Sequence, residues 1–346
     1  MKHRYLLYFL MPLLLLQACK SEPPQTSVTT NQAAAHMKEL KLIATTSRQV
    51  FYEQLPSASG LEYVEGVFYV LGDDSPFLYQ LDKDYKLVGR YPLFDTTGVI
   101  NGRIPKDVKP DLESMGTFTY GRDAMLLLMG SGASKARNKG YLVNLTDDMQ
   151  VQELDLSRFY TFLKQVLRLE QDGQLNLEGL AMDNTYAYLL QRPAGGGPNT
   201  LLRFDADGFK NFILGKADIP PVALYHFKLP EMRQLVAGFS GAYAVDGKLF
   251  FTASVEETHN AIEDGEVHGS YVGLIDLRAL PYAFDPATPL QVPVAQLTNE
   301  DGTGYVGKAE SLVVLKGEGQ QFKVVVVSDD DKGHSELLEV QLQLEE

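Results

Sequence analysis

Glutamate recurs at four widely spaced positions that share one local pattern, a short polar stretch followed by an apolar strand. The four are Glu62, Glu113, Glu178 and Glu310, and Tyr243 takes the fifth place in the series. If the strands are equivalent units of one closed ring, the carboxylates meet near a common axis. Like charges held together need a cation or raised pKa values. The pattern therefore predicts a divalent cation site, with calcium first because it accepts irregular oxygen cages.

A second interpretation gives these glutamates a purely structural role. Each carboxylate would accept hydrogen bonds from backbone amides of its own unit, and nearby basic residues would neutralise the ring. The basic residues concerned are Lys106, Lys109, Lys308 and Arg192. The sequence leaves both interpretations open.

Further charged residues stand where the next strand of each unit ends, on the side that we expect to face the same channel mouth. The stretch from Glu256 to Ser270 is also too long for a simple turn, and long loops are often functional. A site that mixes carboxylates, basic groups and a metal suits an anionic or polyhydroxylated ligand, such as a phosphate ester or a sugar. The predicted ligand-binding residues are Asp73, Asp74, Lys109, Arg192, Glu256, Asp264, Lys308 and Asp329.

Familiar catalytic motifs are absent from the sequence. It has no Gly-x-Ser-x-Gly elbow, no His-Glu-x-x-His motif and no Walker loop. The six histidines show no zinc-ligand spacing, and His259 and His268 are the best placed for acid–base work. The sequence therefore assigns no catalytic residue.

Most of the chain from Lys38 onward consists of short apolar runs separated by Gly, Asp and Asn, which predicts β-strands. The glutamate pattern recurs every 51 to 67 residues, and a four-stranded propeller blade needs about 40 to 50. We therefore predict an all-β fold, a five-bladed β-propeller, with six blades or a β-sandwich pair as alternatives. A strand from Glu39 to Ala44 should close the last blade. Apolar residues at helical spacing predict one helix over Arg158–Leu169.

The N-terminus has the pattern of a bacterial lipoprotein signal. Lys2 and Arg4 precede the apolar run Leu6–Leu16, which is too short to span a bilayer. Ala18 and Cys19 follow, and Cys19 is the only cysteine in the chain. We expect cleavage before Cys19 and lipid attachment to it.

These observations divide the chain into a signal peptide over residues 1–18, a flexible tether over 19–37 and a single propeller domain over 38–346. The tether is rich in Ser, Thr, Pro, Gln and Ala, a composition that cannot form a packed core. Lys20 and Ser21 lack the aspartate linked with inner-membrane retention, so the outer membrane of the cell envelope is favoured.

The formal net charge of −14 argues against nucleic acid as a partner, because phosphate backbones attract basic surfaces. The same acidity fits cation binding or solubility outside the cytoplasm. We expect a monomer that contacts the membrane through its lipid and binds a small polar or anionic ligand.

Several sequence segments are distinctive enough to compare with known families. They are Leu55–Glu62, Gly72–Ser75, Lys109–Glu113, Asn176–Leu180, Glu256–Ser270 and Lys308–Ser311. They resemble an uncharacterised family of bacterial β-propeller lipoproteins. That family is similar in its general features to the phytase-like and SdiA-regulated propellers. The phytase-like relatives imply calcium and the hydrolysis of phosphate or other esters. This chain lacks their dense run of metal-binding aspartates.

Three functions are consistent with the sequence. The first is a membrane-anchored extracytoplasmic propeller that binds a divalent cation and a polar or anionic ligand at its channel mouth. The second is a metal-dependent hydrolase of the phosphoesterase or lactonase type, in which Glu178 or Asp73 activates water. The third, an envelope protein-interaction scaffold, follows from the fold alone.

Overall fold

The structure is a computed structural model that describes residues 40–100, 102–170, 173–194, 197–258, 260–262, 265–281, 286–330 and 332–345. The predicted signal peptide, the tether and Cys19 lie outside these residues, as do His259 and Asp264. No helix in the described part of the chain is long and apolar enough to cross a bilayer.

The described chain is all-β and has a propeller architecture, with its main strands arranged in antiparallel units of four. Unit 1 contains β2 (Ala58–Val64), β3 (Val67–Gly72), β4 (Phe77–Leu81) and β5 (Leu87–Pro92). Unit 2 contains β6 (Leu112–Tyr120), β7 (Asp123–Gly130), β8 (Lys139–Asn144) and β9 (Gln150–Asp155). Unit 3 contains β10 (Leu177–Met182), β11 (Tyr186–Gln191), β12 (Asn199–Asp205) and β13 (Val222–Phe227).

The C-terminal half continues the same pattern. A small hairpin joins units 3 and 4 and consists of β14 (Glu231–Met232) and β15 (Leu235–Val236). Unit 4 contains β16 (Gly238–Val245), β17 (Lys248–Glu257), β18 (Glu266–Asp276) and β19 (Val294–Thr298). Unit 5 contains β20 (Lys308–Glu318), β21 (Gln321–Asp329), β22 (Ser335–Glu345) and the N-terminal strand β1 (Lys41–Tyr52).

The N-terminal strand completes the last unit, as the sequence predicts, but it is longer than expected. β1 pairs antiparallel with β22 from Lys41 opposite Glu345 to Tyr52 opposite Ser335. It also makes a short parallel contact with β19, where Ala44 lies opposite Leu297. The two ends of the described chain therefore meet in one sheet.

The inner strand of each unit, meaning β2, β6, β10, β16 or β20, contacts the inner strands of both neighbouring units, so the contacts form a closed ring. Glycines permit this approach. A Cβ atom at Gly241 would lie 2.4 Å from the carbonyl oxygen of Glu310, and one at Gly116 would lie 2.8 Å from the Leu180 side chain. Larger residues would overpack these contacts.

Strands near the axis of the ring, such as β3, are buried on both faces, because alternate side chains enter opposite apolar clusters. In β3, Phe68 and Val70 pack in the cluster shared with unit 5, whereas Tyr69 and Leu71 pack in the cluster shared with unit 2. Three further clusters lie between units 2 and 3, units 3 and 4, and units 4 and 5. Each pair of neighbouring units thus shares one apolar layer.

Two helices cover the layer between units 2 and 3. The predicted helix is present as α1 (Ser157–Val166), which ends three residues earlier than expected, and it buries Phe159 and Leu163. The second, α2 (Ala206–Ile213), follows β12 and is capped by the Asp205 carboxylate, which accepts a hydrogen bond from the Gly208 amide. These insertions lengthen the spacing between the repeated phrases.

Candidate cation and ligand site at the channel mouth

Every inner strand carries a β-bulge at the same level of its unit. In units 2, 3 and 5 the bulged residues are Glu113, Glu178 and Glu310. In units 1 and 4 they are Ser59 and Ser240, whose hydroxyls donate to backbone carbonyls of the next unit. A bulge adds one residue to a strand and re-aims its side chain. The five bulges thus define the equivalent positions around the axis.

The predicted equivalence of Glu62 with the other glutamates is wrong by three residues. Glu62 lies beyond the bulge at Ser59, paired with Tyr69, and Tyr243 holds the same place in unit 4. The Glu62 carboxylate accepts a hydrogen bond of 3.4 Å from the Thr117 hydroxyl. Among the described residues, Glu62 belongs to no group of carboxylates close enough to share an ion.

The other three glutamates do converge. One carboxylate oxygen from each of Glu113, Glu178 and Glu310 lies within 4.8 Å of the other two. We call these three residues the glutamate cluster. Glu310 is 3% exposed, and its Oε2 atom is buried without a hydrogen-bond partner. A buried carboxylate oxygen without a partner is costly, because it has lost its water and gained nothing in exchange.

Burial also changes the acidity of the cluster. It raises the pKa of Glu113 well above its usual value, and the nearby charges of Asp111 and Asp73 raise it further. Burial likewise raises the pKa of Glu310 well above its usual value, although the Lys308 ammonium opposes the change. Burial therefore makes the charged forms of these carboxyls costly unless a positive charge lies beside them.

Two groups orient Glu178. The Asn176 amide donates to its Oε1 atom at 2.5 Å, and the Arg192 guanidinium lies 4.0 Å from the same atom. Arg192 also binds Glu256 at 3.0 Å and donates to the Ser254 hydroxyl at 3.2 Å. Arg192 and Glu256 are both buried, so unit 4 fixes this edge of the cluster.

A second acidic group, Asp73, Asp111 and Glu113, shares Glu113 with the glutamate cluster. The Lys109 ammonium lies in this group, paired with Asp73 and 3.0 Å from Asp111. Arg137 binds the other Asp111 oxygen at 2.6 Å. Asp111 has a φ of 53°, an uncommon left-handed conformation for a residue with a side chain. Its backbone is thus held in a strained state at the site.

Two small cavities open at this end of the channel. The first, of about 50 Å³, reaches from Asp73 and Arg137 to Glu256, and the second, of about 30 Å³, is lined by Arg103 and Asp329. Lys109 and Lys308 line both cavities, as do Asp73 and Glu113. The space accommodates an ion with a few waters or a small polar group.

The cavity walls are dominated by ionisable groups. The acidic residues among the described lining residues are Asp73, Asp111, Glu113, Glu178, Glu256, Glu310 and Asp329. The basic ones are Arg103, Lys109, Arg137, Arg192 and Lys308. Seven acids against five bases leave an excess of two negative charges when all are ionised. Two protons or one divalent cation would balance this excess.

Most predicted ligand-binding residues therefore meet at the channel mouth. Asp74 stands behind it, paired with Arg103, and its pKa is raised by burial and by the charge of Asp73. The predicted site residues did not include Asp111 and Arg103. Asp111 stands two residues before Glu113. Once Glu113 is known to be the bulged residue of its strand, this spacing indicates that Asp111 lies at the same end of the channel.

His268 lies apart from the cavities. Its ring is near Glu257, at 3.7 Å, and Glu266, at 3.8 Å, and the Arg233 guanidinium lies 3.2 Å from its Nδ1 atom. Neither cavity at the channel mouth is lined by His268. The structure thus gives this histidine no contact with the glutamate cluster.

The model of a family described as "family of unknown function (DUF6929)" matches residues 54–342. No curated protein matches this sequence.

Among solved structures, the chain is similar to Myxococcus xanthus glutaminyl cyclase at 15% identity and a TM-score of 0.46, covering 89% of this chain and 99% of that one. It is similar to an exo-1,5-α-L-arabinanase from a bovine ruminal metagenomic library at 9% identity and a TM-score of 0.44, covering 84% and 97%. A Bacillus subtilis arabinoxylan arabinofuranohydrolase of glycoside hydrolase family 43 gives 10% identity and a TM-score of 0.41, covering 82% and 63%.

The position of Glu62 predicts a pH dependence of stability. Burial raises its pKa from 4.5 to about 8, although hydrogen bonds from Thr117 oppose the change. The folded protein then binds one more proton than the unfolded chain between these values, so the free energy of unfolding falls as pH rises from 4.5 to about 8. Glu62→Gln removes this loss, which is on the order of a few kcal/mol.

Urea unfolding at pH 5, 7 and 9 measures the effect. The stability of Glu62→Gln relative to the wild type should increase with pH, whereas Glu65→Gln, an exposed neighbour, should show no such trend. A Glu62→Gln difference that stays constant from pH 5 to pH 9 would contradict the raised pKa.

Proposed function

The chain belongs to the DUF6929 family of unknown function, and we propose that it is a five-bladed β-propeller whose channel mouth binds a divalent cation. Each four-stranded unit is one blade in this proposal, and β1 closes the fifth. The ligands are the carboxylates of Glu113, Glu178 and Glu310. A small polar or anionic molecule then binds through the cation.

The observation that carries this proposal is the buried Oε2 atom of Glu310. It has no hydrogen-bond partner, and it belongs to a carboxylate that lies within 4.8 Å of two others. A cation between the three would satisfy this oxygen and offset the repulsion. The described lining residues of the cavities include more acidic than basic groups, and a bound cation would offset this difference.

Calcium is the first choice among divalent cations. The donors are all oxygen atoms, and their spacing is set by bulges on three separate strands. Calcium tolerates such irregular geometry and six to eight ligands, whereas magnesium demands a near-octahedral set. Waters would complete the coordination in the two cavities.

The size and charge of the mouth limit the second ligand. The cavities admit a carboxylate, phosphate or hydroxyl group of a larger molecule rather than a whole sugar ring. The Arg192 guanidinium and the Lys109 ammonium are already bound to carboxylates. An anionic group is therefore expected to bind to the cation itself.

Calcium should raise the melting temperature of the soluble domain, and Glu178→Gln should remove this shift. At a concentration of about 100 times Kd, one site adds about 2.7 kcal/mol to the free energy of unfolding. For a chain of this length that corresponds to a shift of at least about 3 °C. Differential scanning calorimetry with and without calcium measures it.

Glu62→Gln is the matched control, because it makes the same substitution in another buried glutamate outside the cluster. It should retain the full calcium shift. Loss of the shift in both variants, or in neither, would rule out the glutamate cluster as the calcium site. A shift seen with magnesium and not with calcium would correct the choice of metal.

The hydrolase is a second candidate, and one observation favours it. The Oδ1 atom of Asp73 is buried without a hydrogen-bond partner, close to Glu113. In a hydrolase this carboxylate would accept a proton from a water molecule, which then attacks a carbonyl or phosphoryl group polarised by the cation.

A panel of lactones and phosphate monoesters tests this candidate with the calcium-loaded protein. Asp73→Asn should lower kcat by at least about 100-fold and leave the calcium shift intact. If no substrate in the panel turns over, the hydrolase proposal fails and the binding function stands. If calcium binding fails as well, the envelope interaction scaffold becomes the working proposal.

The proposed cellular context is an envelope lipoprotein held in the outer membrane by lipid on Cys19. The support is the sequence of residues 1–19, with its basic, apolar and small-residue segments. Intact mass spectrometry of the protein extracted from outer membranes should show loss of residues 1–18 and an added lipid. Cys19→Ala should retain the signal segment, and an unmodified wild-type mass would refute the anchor.

A further inference from the structure

Lys308 is the basic residue that lies closest to the proposed cation position on the Glu310 side. Its ammonium is 3.0 Å from Glu310 Oε1 and 3.8 Å from Glu256 Oε2. Burial alone would lower the pKa of Lys308, yet the charges of Glu310 and Glu256 hold it well above its usual value. Lys308 is thus a cation that the chain itself supplies to this cluster.

A second acidic position lies within reach of the same side chain. Lys308 is the first residue of β20 and pairs in register with Asp329 at the end of β21. Both residues line the 30 Å³ cavity, and Lys308 lines the 50 Å³ cavity as well. A rotation of the lysine side chain away from Glu310 would therefore carry the ammonium toward Asp329 rather than into apolar surroundings.

Lys109 provides a contrast. Its ammonium is paired with Asp73 and lies 3.0 Å from Asp111. The negative charge of Glu113 also favours the charged form of Lys109. Lys109 thus remains a fixed counter-charge for the second acidic group, whereas Lys308 has an alternative position.

We propose that Lys308 occupies the glutamate cluster when no metal is present and gives way to the divalent cation by turning toward Asp329. Lys308 then sets the cation affinity of the site. This inference rests on the proposed cation binding by Glu113, Glu178 and Glu310. It adds that the cation displaces a resident ammonium, so that binding is weaker and more readily reversed than three free carboxylates would give.

Lys308→Met tests the first step, because methionine keeps much of the side-chain length and removes the charge. Isothermal titration with calcium chloride should show a Kd at least about tenfold lower than that of the wild type, a difference of about 1.4 kcal/mol. Lys139→Met is the matched control. It removes the same charge from an exposed pair with Glu153, at 2.9 Å, and should leave Kd within about twofold.

Asp329→Asn tests the second step through a double-mutant cycle. In the wild-type background it removes the position to which the ammonium moves, so the Kd for calcium should rise several-fold. In the Lys308→Met background there is no ammonium to move, and the same substitution should have a clearly smaller effect. Equal effects in the two backgrounds would show that Asp329 acts only through its charge and would overturn the movement of Lys308.

The outcomes separate this inference from the proposed function. Calcium binding by the wild type with equal or weaker binding by Lys308→Met overturns the inference and leaves the function standing. Binding by Lys308→Met alone supports the resident ammonium and overturns calcium binding by the natural chain. Absence of binding in both overturns both. Lys308→Gln replaces the methionine variant if circular dichroism shows that the latter does not fold.

Discussion

The close approach of the inner strands around one axis is the constraint on which the rest of the structure depends. At Gly241 the backbone of unit 4 contacts the Glu310 carbonyl so closely that even a Cβ atom would not fit. Such contacts place the bulges of neighbouring units side by side, and three of these bulges carry glutamates. Separate sheets would leave the same carboxylates in water with ordinary pKa values. Ring closure therefore creates the electrostatic problem that the channel mouth has to solve.

Much of the compensation for that problem is local in sequence. Two positions before Glu178 and Glu310 stand Asn176 and Lys308, and each contacts the glutamate that follows it. In unit 2 the same position is Asp111, whose charge adds to that of Glu113. Lys109 stands two positions earlier still, where it neutralises Asp73 and Asp111. The segment that enters the inner strand thus delivers both a carboxylate and a partner for it. Charges from other segments, chiefly Arg192 and Arg137, add to this arrangement from the neighbouring strands.

The sequence predicts the units well because each repeat combines an apolar strand with a turn, and it also predicts the closing strand at the N-terminus. It does not predict the bulges. Glu62 follows a leucine just as Glu113 and Glu178 do, so the local phrases align, yet the extra residue at Ser59 shifts the register of that strand. The alternation of side chains between the two faces of a strand cannot reveal such a shift. The ion pairs of Arg103 and Arg137 join residues far apart in the chain, and no local pattern signals them.

The resident ammonium groups also explain how such a site can be compatible with folding. Structural metal sites that rely on the ion alone leave the chain unfolded until the ion arrives. Here the ammonium groups of Lys109 and Lys308 lie among the carboxylates, so the chain itself supplies positive charge at this place. A cation bound at the proposed site would therefore add to a ring that the chain's own charges already stabilise. The occupancy of the proposed site would then follow the surrounding cation concentration, because the fold would not depend on the ion.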